Sequence, residues 1–267
     1  MIINLLSFFK KSKFIFPALL ISISILNACQ NTNQKHIYPW SSSQQMIIVI
    51  PKDWQANTAT LRYYDRIGTR WVLANKPFSV ALGQNGSAWG LGLHPQTQYN
   101  LQKFEGDQRS PAGIFNIGPA FGYAPILQTS MNYIALKWGD YCVDDPNSSF
   151  YNQIININNI NRPVPFHSYE IMRRDLSKQA DSLYKIGFVI QHNITRKTNA
   201  GSCIFAHLRE NNQNTAGCTA MSELDMRNLL KWLQPSTEPI FVLLPWEIYQ
   251  QKQKIWNLPK IKDNDAF

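Results

Sequence analysis

His207 and Cys218, eleven residues apart, are the side chains of this sequence best suited to covalent chemistry. His207 follows an apolar segment at residues 204–206, and Cys218 precedes by four residues a predicted helix start at Ser222. A thiol near the positive end of a helix, with an imidazole nearby to accept its proton, ionises more readily than a free cysteine. The pattern therefore predicts a cysteine nucleophile, Cys218, with His207 as its general base.

The residue before the cysteine, Gly217, has no Cβ, so the backbone can turn sharply there. Such a turn can aim the N–H groups of Gly217 and Cys218 at a developing oxyanion, and we expect these two amides to form an oxyanion hole. The same residues can also serve the structure alone. Cys218 would then be a small buried residue and His207 a strand-terminal imidazole with satisfied hydrogen bonds.

The elements that must position these residues are mostly short β-strands. The segments are β-branched or aromatic and are bounded by Gly, Pro and Asn, which is typical of a sandwich or a barrel. The predicted strands are residues 46–50, 60–64, 71–73, 79–82, 114–117, 133–138, 188–191, 204–206 and 240–244.

Two segments have helical periodicity instead. Residues 168–184 carry apolar side chains at helical spacing, and Gly187 follows as a stop signal. In residues 222–233, Ser222 and Asp225 form a capping-box pattern, and an apolar face follows. The sequence therefore predicts a mainly β fold with two helices, in which the reactive cysteine lies just before the second helix.

The residues around the cysteine resemble the L,D-transpeptidase (YkuD) catalytic domain. The signature of that family is a His followed by a Ser/Thr-His-Gly-Cys motif, to which His207, Thr215, Gly217 and Cys218 correspond. Residues 106–115, which include a Pro-Ala-Gly-Ile-Phe stretch, resemble the family's Thr-Pro-x-Gly-x-Phe segment, and residues 71–90 resemble the region of its early strands. The resemblance covers residues 46 to 245.

The chain departs from the family pattern at two positions. Ala216 replaces the His of the Ser-His-Gly-Cys motif, and Ala220 replaces the Arg or Asn that commonly follows the cysteine by two residues. The spacing from His207 to Cys218 is also shorter than in typical members. The resemblance thus implies a divergent branch, which weakens inference about the substrate more than inference about the fold.

The resemblance implies a β-sandwich catalytic domain at residues 46–249 and acyl transfer on peptidoglycan. The Cys218 thiolate would attack the amide after the third residue of a tetrapeptide stem, D-alanine would leave, and an amine of a neighbouring stem or of a wall-linked protein would take the acyl group. His207 would accept the thiol proton and later protonate the leaving amine. We expect no cofactor. Thr215, Arg209 and His192 are the predicted substrate-binding residues, and the Arg209 guanidinium suits a carboxylate.

Three alternatives to transfer stay open at this stage. With water as the acceptor, the same site is that of an L,D-carboxypeptidase or of an amide hydrolase that frees a wall-linked lipoprotein. A non-catalytic lipoprotein that binds the cell wall is a second alternative. The third is a zinc site of His192, Cys203, His207 and Cys218, although we expect no metal because strand ends at these spacings do not suggest a tetrahedron.

The mature chain keeps three cysteines besides Cys29, namely Cys142, Cys203 and Cys218. An odd number in an oxidising compartment requires at least one thiol that is free or that pairs outside the chain. Cys142 and Cys203 are expected to be small buried residues, and a disulfide between them is the alternative.

The first 29 residues have the pattern of a bacterial lipoprotein signal. Three lysines precede an apolar run at residues 14–26, which is shorter than the about 20 residues of a membrane span. Leu26-Asn27-Ala28-Cys29 resembles a lipobox, in which the cysteine is lipidated and anchors the protein to the membrane. Asn27 is unusual there and leaves ordinary cleavage or an uncleaved anchor open. Gln30 favours the outer membrane over the inner one.

Composition completes the expected organisation. Residues 30–45 are polar and predict a flexible tether, and residues 250–267 predict a loosely held polar tail. Removal of the signal, with its three lysines and no acid, lowers the net charge from +9 to +6. A moderately basic surface suits anionic envelope polymers or lipid headgroups, and nothing in the sequence indicates nucleic acid. The sequence thus predicts a periplasm-facing lipoprotein.

Lipidation of Cys29 can be tested by metabolic labelling. Labelled palmitate is expected to enter the wild-type protein and to be absent from Cys29→Ser, because the lipid is attached through this thiol. Equal labelling of both proteins, or a mature N-terminus at another residue, would show that the anchor has been misassigned.

Overall fold

The computed structural model of the chain describes residues 37–96, 101–160, 166–178, 180–210 and 213–267. Cys29, the predicted signal segment and residues 30–36 of the predicted tether lie outside the described residues. Within the described ranges, no helix combines the length and apolarity needed to cross a membrane.

The described residues form a mainly β structure with two α-helices, as the sequence predicts. The strands are β1 (Gln45–Pro51), β2 (Thr58–Ile67), β3 (Arg70–Leu73), β4 (Phe78–Ala81), β5 (Ser87–Trp89), β6 (Ser110–Gly122), β7 (Tyr133–Ala135), β8 (Asp140–Val143), β9 (Gln153–Asn156), β10 (Tyr169–Ile171), β11 (Ile186–Ile190), β12 (Phe205–Leu208), β13 (Thr219–Met221) and β14 (Ile240–Leu243). The helices are α1 (Glu223–Trp232) and α2 (Trp246–Gln253).

Eight of the strands pair in a closed ring. The order is β1, β14, β6, β11, β12, β13, β4 and β2, and β2 pairs again with β1. The closure depends on β2, which is long enough to pair with β4 through its first half and with β1 along most of its length. The sequence pattern of short strands is compatible with either a sandwich or a barrel. The observed pairing gives a barrel-like sheet in which these strands have few exposed edges.

The core lies between this sheet and the helices. β1 and β14 are apolar runs, pair in parallel and are buried along their whole length. Helix α1 begins where the capping-box pattern predicts, because the Ser222 hydroxyl accepts a hydrogen bond from the Asp225 amide at 3.1 Å. Its buried face, which includes Met226 and Leu229, packs against β11 and β12. The helix therefore supports the strand that carries His207.

A second, three-stranded sheet consists of β10, β8 and β9. A disulfide joins Cys142 of β8 to Cys203, just before β12, with an S–S distance of 2.00 Å. The Asn152 side chain makes a second link, since its oxygen accepts from the Cys203 amide and its nitrogen donates to the His192 carbonyl, both at 2.9 Å. The two cysteines are thus buried as expected and also bonded to each other, which leaves Cys218 as the free thiol of the described residues.

The helix predicted at residues 168–184 is wrong. The described part of this segment contains strand β10 and a short 3-10 turn at Arg174–Leu176. Two ion pairs shape it: Arg173 binds Asp175, and Arg174 binds Asp181. Ala180 also has a φ of +47°, which a continuous helix does not allow. The helical spacing of the apolar residues did not reveal these local polar interactions.

The predicted polar tail is packed, and so is the described end of the predicted tether. Trp256 and Leu258 are buried because Tyr249 of α2 donates a hydrogen bond to the Pro259 carbonyl at 2.7 Å and holds the chain against the core. Trp40 is buried beside them and donates to the Trp256 carbonyl at 3.1 Å. The two sequence ends of the described unit thus cover one another, which their polar composition concealed.

The disulfide is expected to contribute strongly to stability. Cys142 and Cys203 are 61 residues apart, and closing a loop of this length in the unfolded chain is worth roughly 4 kcal/mol in the entropic treatment. The double variant Cys142→Ala/Cys203→Ala should lose about 2–4 kcal/mol of unfolding free energy, measured by urea titration. Non-reducing peptide mapping should recover the 142–203 pair, and recovery of a pair that includes Cys218 would contradict the assignment.

Candidate active site

The candidate site is built on two adjacent parallel strands. β12 pairs with β13 so that Ala206 lies opposite Thr219, and His207 lies opposite Ala220. Side chains alternate along a strand, so His207 and Ala220 point to the same side of the sheet, and Cys218, two residues before Ala220, points there as well. The pairing therefore places His207 and Cys218 on one face as diagonal neighbours.

Cys218 and His207 line the same cavity, which has a volume of about 300 Å³. Arg209 and Thr215 from the predicted site line it too. The remaining charged or ionisable side chains of the cavity lie outside the cysteine motif. They are Glu170, Arg174, Tyr184 and Glu210. The structure thus brings the predicted nucleophile and base together in one cavity.

The Cys218 thiol is neutral in this environment. Its sulfur accepts a hydrogen bond from the Phe205 amide at 3.2 Å and lies 3.5 Å from the Cys203 carbonyl oxygen. Burial is the main cause that raises the pKa of Cys218 to about 12, and the nearby Glu170 carboxylate adds to it. The expected effect of helix α1 does not prevail, because strand β13 separates Cys218 from the helix by about 10 Å of extended chain.

The His207 imidazole is held in the form that can act as a base. Its Nδ1 lies 2.7 Å from the Leu208 carbonyl oxygen, so Nδ1 carries the proton and donates, and Nε2 keeps its lone pair. The ring packs against the Tyr184 ring in a T-shaped arrangement, with the two ring centroids 5.3 Å apart. Burial lowers the pKa of His207 to about 4, so the ring is neutral at physiological pH.

The loop before the cysteine is held by its own hydrogen bonds. Thr215 Oγ1 accepts from the Gly217 amide at 3.1 Å and donates to the Cys218 carbonyl at 2.7 Å. Gly217 has a φ of +151°, and a Cβ there would lie 2.9 Å from the Arg109 carbonyl oxygen. A glycine is therefore required, as predicted. Its amide is bonded to Thr215 here, and its role in an oxyanion hole stays a prediction.

His192 does not belong to this cavity. Its Nδ1 accepts from the Leu91 amide at 3.1 Å, and its Nε2 lies 2.8 Å from the Ala200 carbonyl oxygen. Both ring nitrogens thus fix the backbone of neighbouring loops, and burial lowers the pKa of His192 to about 3. The prediction that His192 binds substrate is wrong, because its hydrogen-bonding groups are used inside the fold.

The alternative zinc site is also not assembled. Cys203 is bound in the disulfide and has no thiolate to offer, and His192 is occupied as described above. Throughout the part of the chain that the structure describes, no group of three or more His, Cys, Asp or Glu side chains is placed to hold a metal ion.

Glu170, Arg174 and Tyr184 were missed by the sequence analysis. The Tyr184 hydroxyl donates to Glu170 in a short hydrogen bond, and the Arg174 guanidinium lies over the Tyr184 ring at 5.4 Å. Arg174 also binds Asp181, with 2.7 Å between Nε and Oδ1. In the helix predicted for this segment, Glu170 and Arg174 would form an exposed i, i+4 pair. The sequence analysis therefore did not predict that their side chains line a cavity.

Comparison with known proteins adds one distant likeness. No protein-family model matches the chain, and no curated protein matches its sequence. Among solved structures, the chain is similar to the helical cell shape determining protein Pgp2 from Campylobacter jejuni, with 14% sequence identity and a TM-score of 0.35. The match covers 78% of this chain and 49% of that one, so the chain spans about half the length of its structural neighbour. A likeness this distant carries no functional inference.

Buried neutral histidines make the fold sensitive to acid. Burial lowers the pKa of His94 and His207 to about 4 and that of His192 to about 3, from an ordinary value of 6.5. At each of these histidines the unfolded state therefore binds more protons below pH 6.5. The contribution of each histidine to stability is full above pH 6.5 and falls as pH drops towards 4. Between pH 7.5 and 5.0, we expect a loss of roughly 2 kcal/mol per buried histidine in urea titrations.

The variant His207→Asn isolates one contribution. It removes one titrating group and should reduce the pH-dependent loss by roughly 2 kcal/mol, whatever its effect on stability at pH 7.5. His167→Asn provides the matched control, because it makes the same substitution at an exposed histidine outside the cavity. An unchanged dependence in His207→Asn would show that this imidazole is not buried in its neutral form.

Proposed function

We propose that the described domain is a cysteine-dependent acyltransferase of peptidoglycan stem peptides, with the reaction of an L,D-transpeptidase. The observation that carries the proposal is the shared cavity of Cys218 and His207, in which the imidazole presents an unprotonated Nε2. The motif around Cys218 supports a peptide amide as the group attacked. The proposal also gives the protein a role in cell-wall biogenesis and cell shape.

The reaction begins with two neutral groups. His207 Nε2 accepts the thiol proton as Cys218 Sγ attacks the carbonyl carbon of the amide after the third stem residue, and the carbonyl electron pair moves to oxygen. Because burial favours both neutral forms, proton transfer accompanies the attack and no thiolate–imidazolium pair exists in the resting site. With the Gly217 amide bonded to Thr215, the Cys218 amide is the backbone donor proposed for the oxyanion.

Cations in the cavity suit the substrate. Arg174 and Arg209 both line it, and a guanidinium matches a carboxylate with two hydrogen bonds. The stem peptide has a carboxylate on its terminal D-alanine. Because Asp181 already binds Arg174 through two hydrogen bonds, Arg209 is the residue proposed to bind this carboxylate and orient the scissile end beside Cys218. Thr215 acts indirectly by holding the loop of the nucleophile.

The size of the cavity favours a second candidate, hydrolysis. About 300 Å³ lies at the lower end of the usual range for ligand sites, so one stem end fills much of the space. Water then reaches the thioester more easily than an amine of a second stem does, which would make the protein an L,D-carboxypeptidase. Product analysis separates the two, because transfer gives a cross-linked dimer and hydrolysis gives a tripeptide.

The cellular setting is part of the same proposal. A lipid on Cys29 would anchor the domain to the membrane, with the outer membrane favoured, and would place the cavity in the periplasm next to its polymeric substrate. The acyl acceptor is then an amine of a second stem or of a wall-linked protein.

Acylation by a carbapenem tests the proposed function. The strained ring offers an acyl group to a cysteine enzyme of this kind, so intact-mass measurement should show a stable adduct that maps to Cys218. Cys218→Ala should show no adduct. His207→Ala should fold but react roughly 10²- to 10⁴-fold more slowly, as expected for loss of a general base.

The other cysteines serve as controls. Cys142→Ala/Cys203→Ala should still acylate at Cys218 where the protein remains folded. A wild-type protein that resists acylation and leaves stem peptides intact would support a non-catalytic wall-binding lipoprotein instead. Turnover of stem peptides by Cys218→Ala would show that the nucleophile has been misplaced.

A further inference from the structure

The cavity contains a carboxyl group that the reaction described above does not use. Glu170 belongs to β10 of the three-stranded sheet, whereas Cys218 and His207 belong to the closed sheet, so the two sheets contribute different groups to one cavity. The disulfide fixes this arrangement, because Cys142 lies directly opposite Glu170 in the β8–β10 pairing and is bonded to Cys203.

The Glu170 carboxyl is held in position by Tyr184. The Tyr184 hydroxyl donates to Glu170 Oε2, and its ring contacts the His207 ring, so Tyr184 lies between the carboxyl and the base. With Oε2 bonded in this way, the transferable proton of a neutral Glu170 belongs on Oε1. Tyr184 is thus a positioning residue, because it contacts both the Glu170 carboxyl and the His207 ring.

We propose that Glu170 is a further catalytic residue, which protonates the amine that leaves the substrate and later removes a proton from the acyl acceptor. The inference rests on the proposed function, because it assigns a second acid–base group to the same cavity. His207 then exchanges its proton only with the sulfur of Cys218, and the two proton transfers are divided between the two sheets.

The steps balance over a full cycle. In the first half, the thiol proton goes to His207 Nε2, the S–C bond forms, the C–N bond breaks with its electron pair on nitrogen, and Glu170 gives that nitrogen a proton. In the second half, an amine or water attacks the thioester and gives a proton to the Glu170 carboxylate. The S–C bond breaks, and the sulfur takes back the proton of His207. The cycle thus ends with a neutral thiol, imidazole and carboxyl.

The charges that face Glu170 are consistent with this role. Burial raises the pKa of its carboxyl to about 7; Tyr184 opposes this, Asp144 and Glu105 raise the pKa further, and Arg174 lowers it. A carboxyl of this kind is present as acid and as base near neutral pH, which suits a group that gives and then takes a proton. Its ionised form also raises the pKa of Cys218, so loss of the Glu170 proton disfavours the thiolate.

Leaving groups of different basicity provide the test. An amide nitrogen must be protonated to leave, whereas the alkoxide of an ester leaves with less help. Wild-type protein and Glu170→Gln are compared on a tetrapeptide stem that ends in D-alanine and on its depsipeptide analogue that ends in D-lactate. Glu170→Gln should lose roughly 10²-fold or more in kcat/KM for the amide and much less for the ester and for acylation by a carbapenem.

The pH profile adds a readout that a merely structural role would not change. Wild-type amide turnover should fall as pH rises through the pKa of Glu170, and Glu170→Gln should lack this limb. Tyr184→Phe keeps the ring but removes a hydrogen bond that lowers the pKa of Glu170, so its limb should move to higher pH. Glu170→Asp, which keeps a carboxyl, should recover part of the amide turnover.

A similar pair outside the cavity lining provides the control. Tyr151 donates to Glu105 as Tyr184 does to Glu170. Glu105→Gln should keep the pH limb of amide turnover but move it to lower pH, because the Glu105 charge raises the pKa of Glu170. Equal losses of kcat/KM on the amide and the ester in Glu170→Gln, or an unchanged pH limb of amide turnover, would overturn the acid role of Glu170. Carbapenem acylation at Cys218 in the same protein would still support the proposed function. If Glu170→Gln does not fold, the Glu170→Asp and Tyr184→Phe profiles decide. A wild-type protein inert towards all three substrates would overturn both proposals.

Discussion

The parallel pairing of β12 with β13 is the constraint on which the candidate site depends. It sets His207 opposite Ala220 and so brings Cys218 to the same face, although His207 and Cys218 are eleven positions apart in sequence. The surrounding structure stabilises this pair of strands: helix α1 packs against β12, and the disulfide of Cys203 anchors the segment that enters it. A change of register by one residue would turn His207 away from the cavity and separate it from the Cys218 thiol.

Burial, more than the nearby helix, determines the protonation state of the site. A helix N-terminus stabilises a neighbouring anion by about 0.3–1 kcal/mol, and only over its first turn. Burial and the charge of Glu170 raise the pKa of Cys218 from 9 to about 12, a difference on the order of 4 kcal/mol against the thiolate. The resting thiol is therefore protected from oxidants and free electrophiles. Under the proposed function, it gains reactivity only when a carbonyl group lies within reach of both sulfur and imidazole.

The sequence was sufficient where one local signal determined the structure. Each predicted strand matches an observed one, and the cap of α1 is the Ser222–Asp225 pair that the sequence indicates. The segment of Glu170 and Tyr184 was predicted incorrectly, because ion pairs and a residue at positive φ outweigh a chance apolar spacing. His192 could not be separated from His207 by residue type, since the difference lies in which nitrogens the backbone occupies. Sheet closure was also not predictable, because it depends on contacts between distant strands.

The two alanines of the motif acquire a physical meaning in the cavity. Ala216 and Ala220 both line it, and Ala220 lies opposite His207 in the strand pairing. Their small side chains leave space beside Cys218 and His207, and two charged groups of the cavity, Glu170 and Arg174, come from β10 and the turn that follows it. Under the proposed function, the strands around Cys218 therefore determine which bond-forming chemistry is available, whereas the segment of Glu170 and Arg174 determines the charge and shape that a substrate would meet. Sequence similarity confined to the cysteine motif consequently informs on the reaction and much less on the substrate.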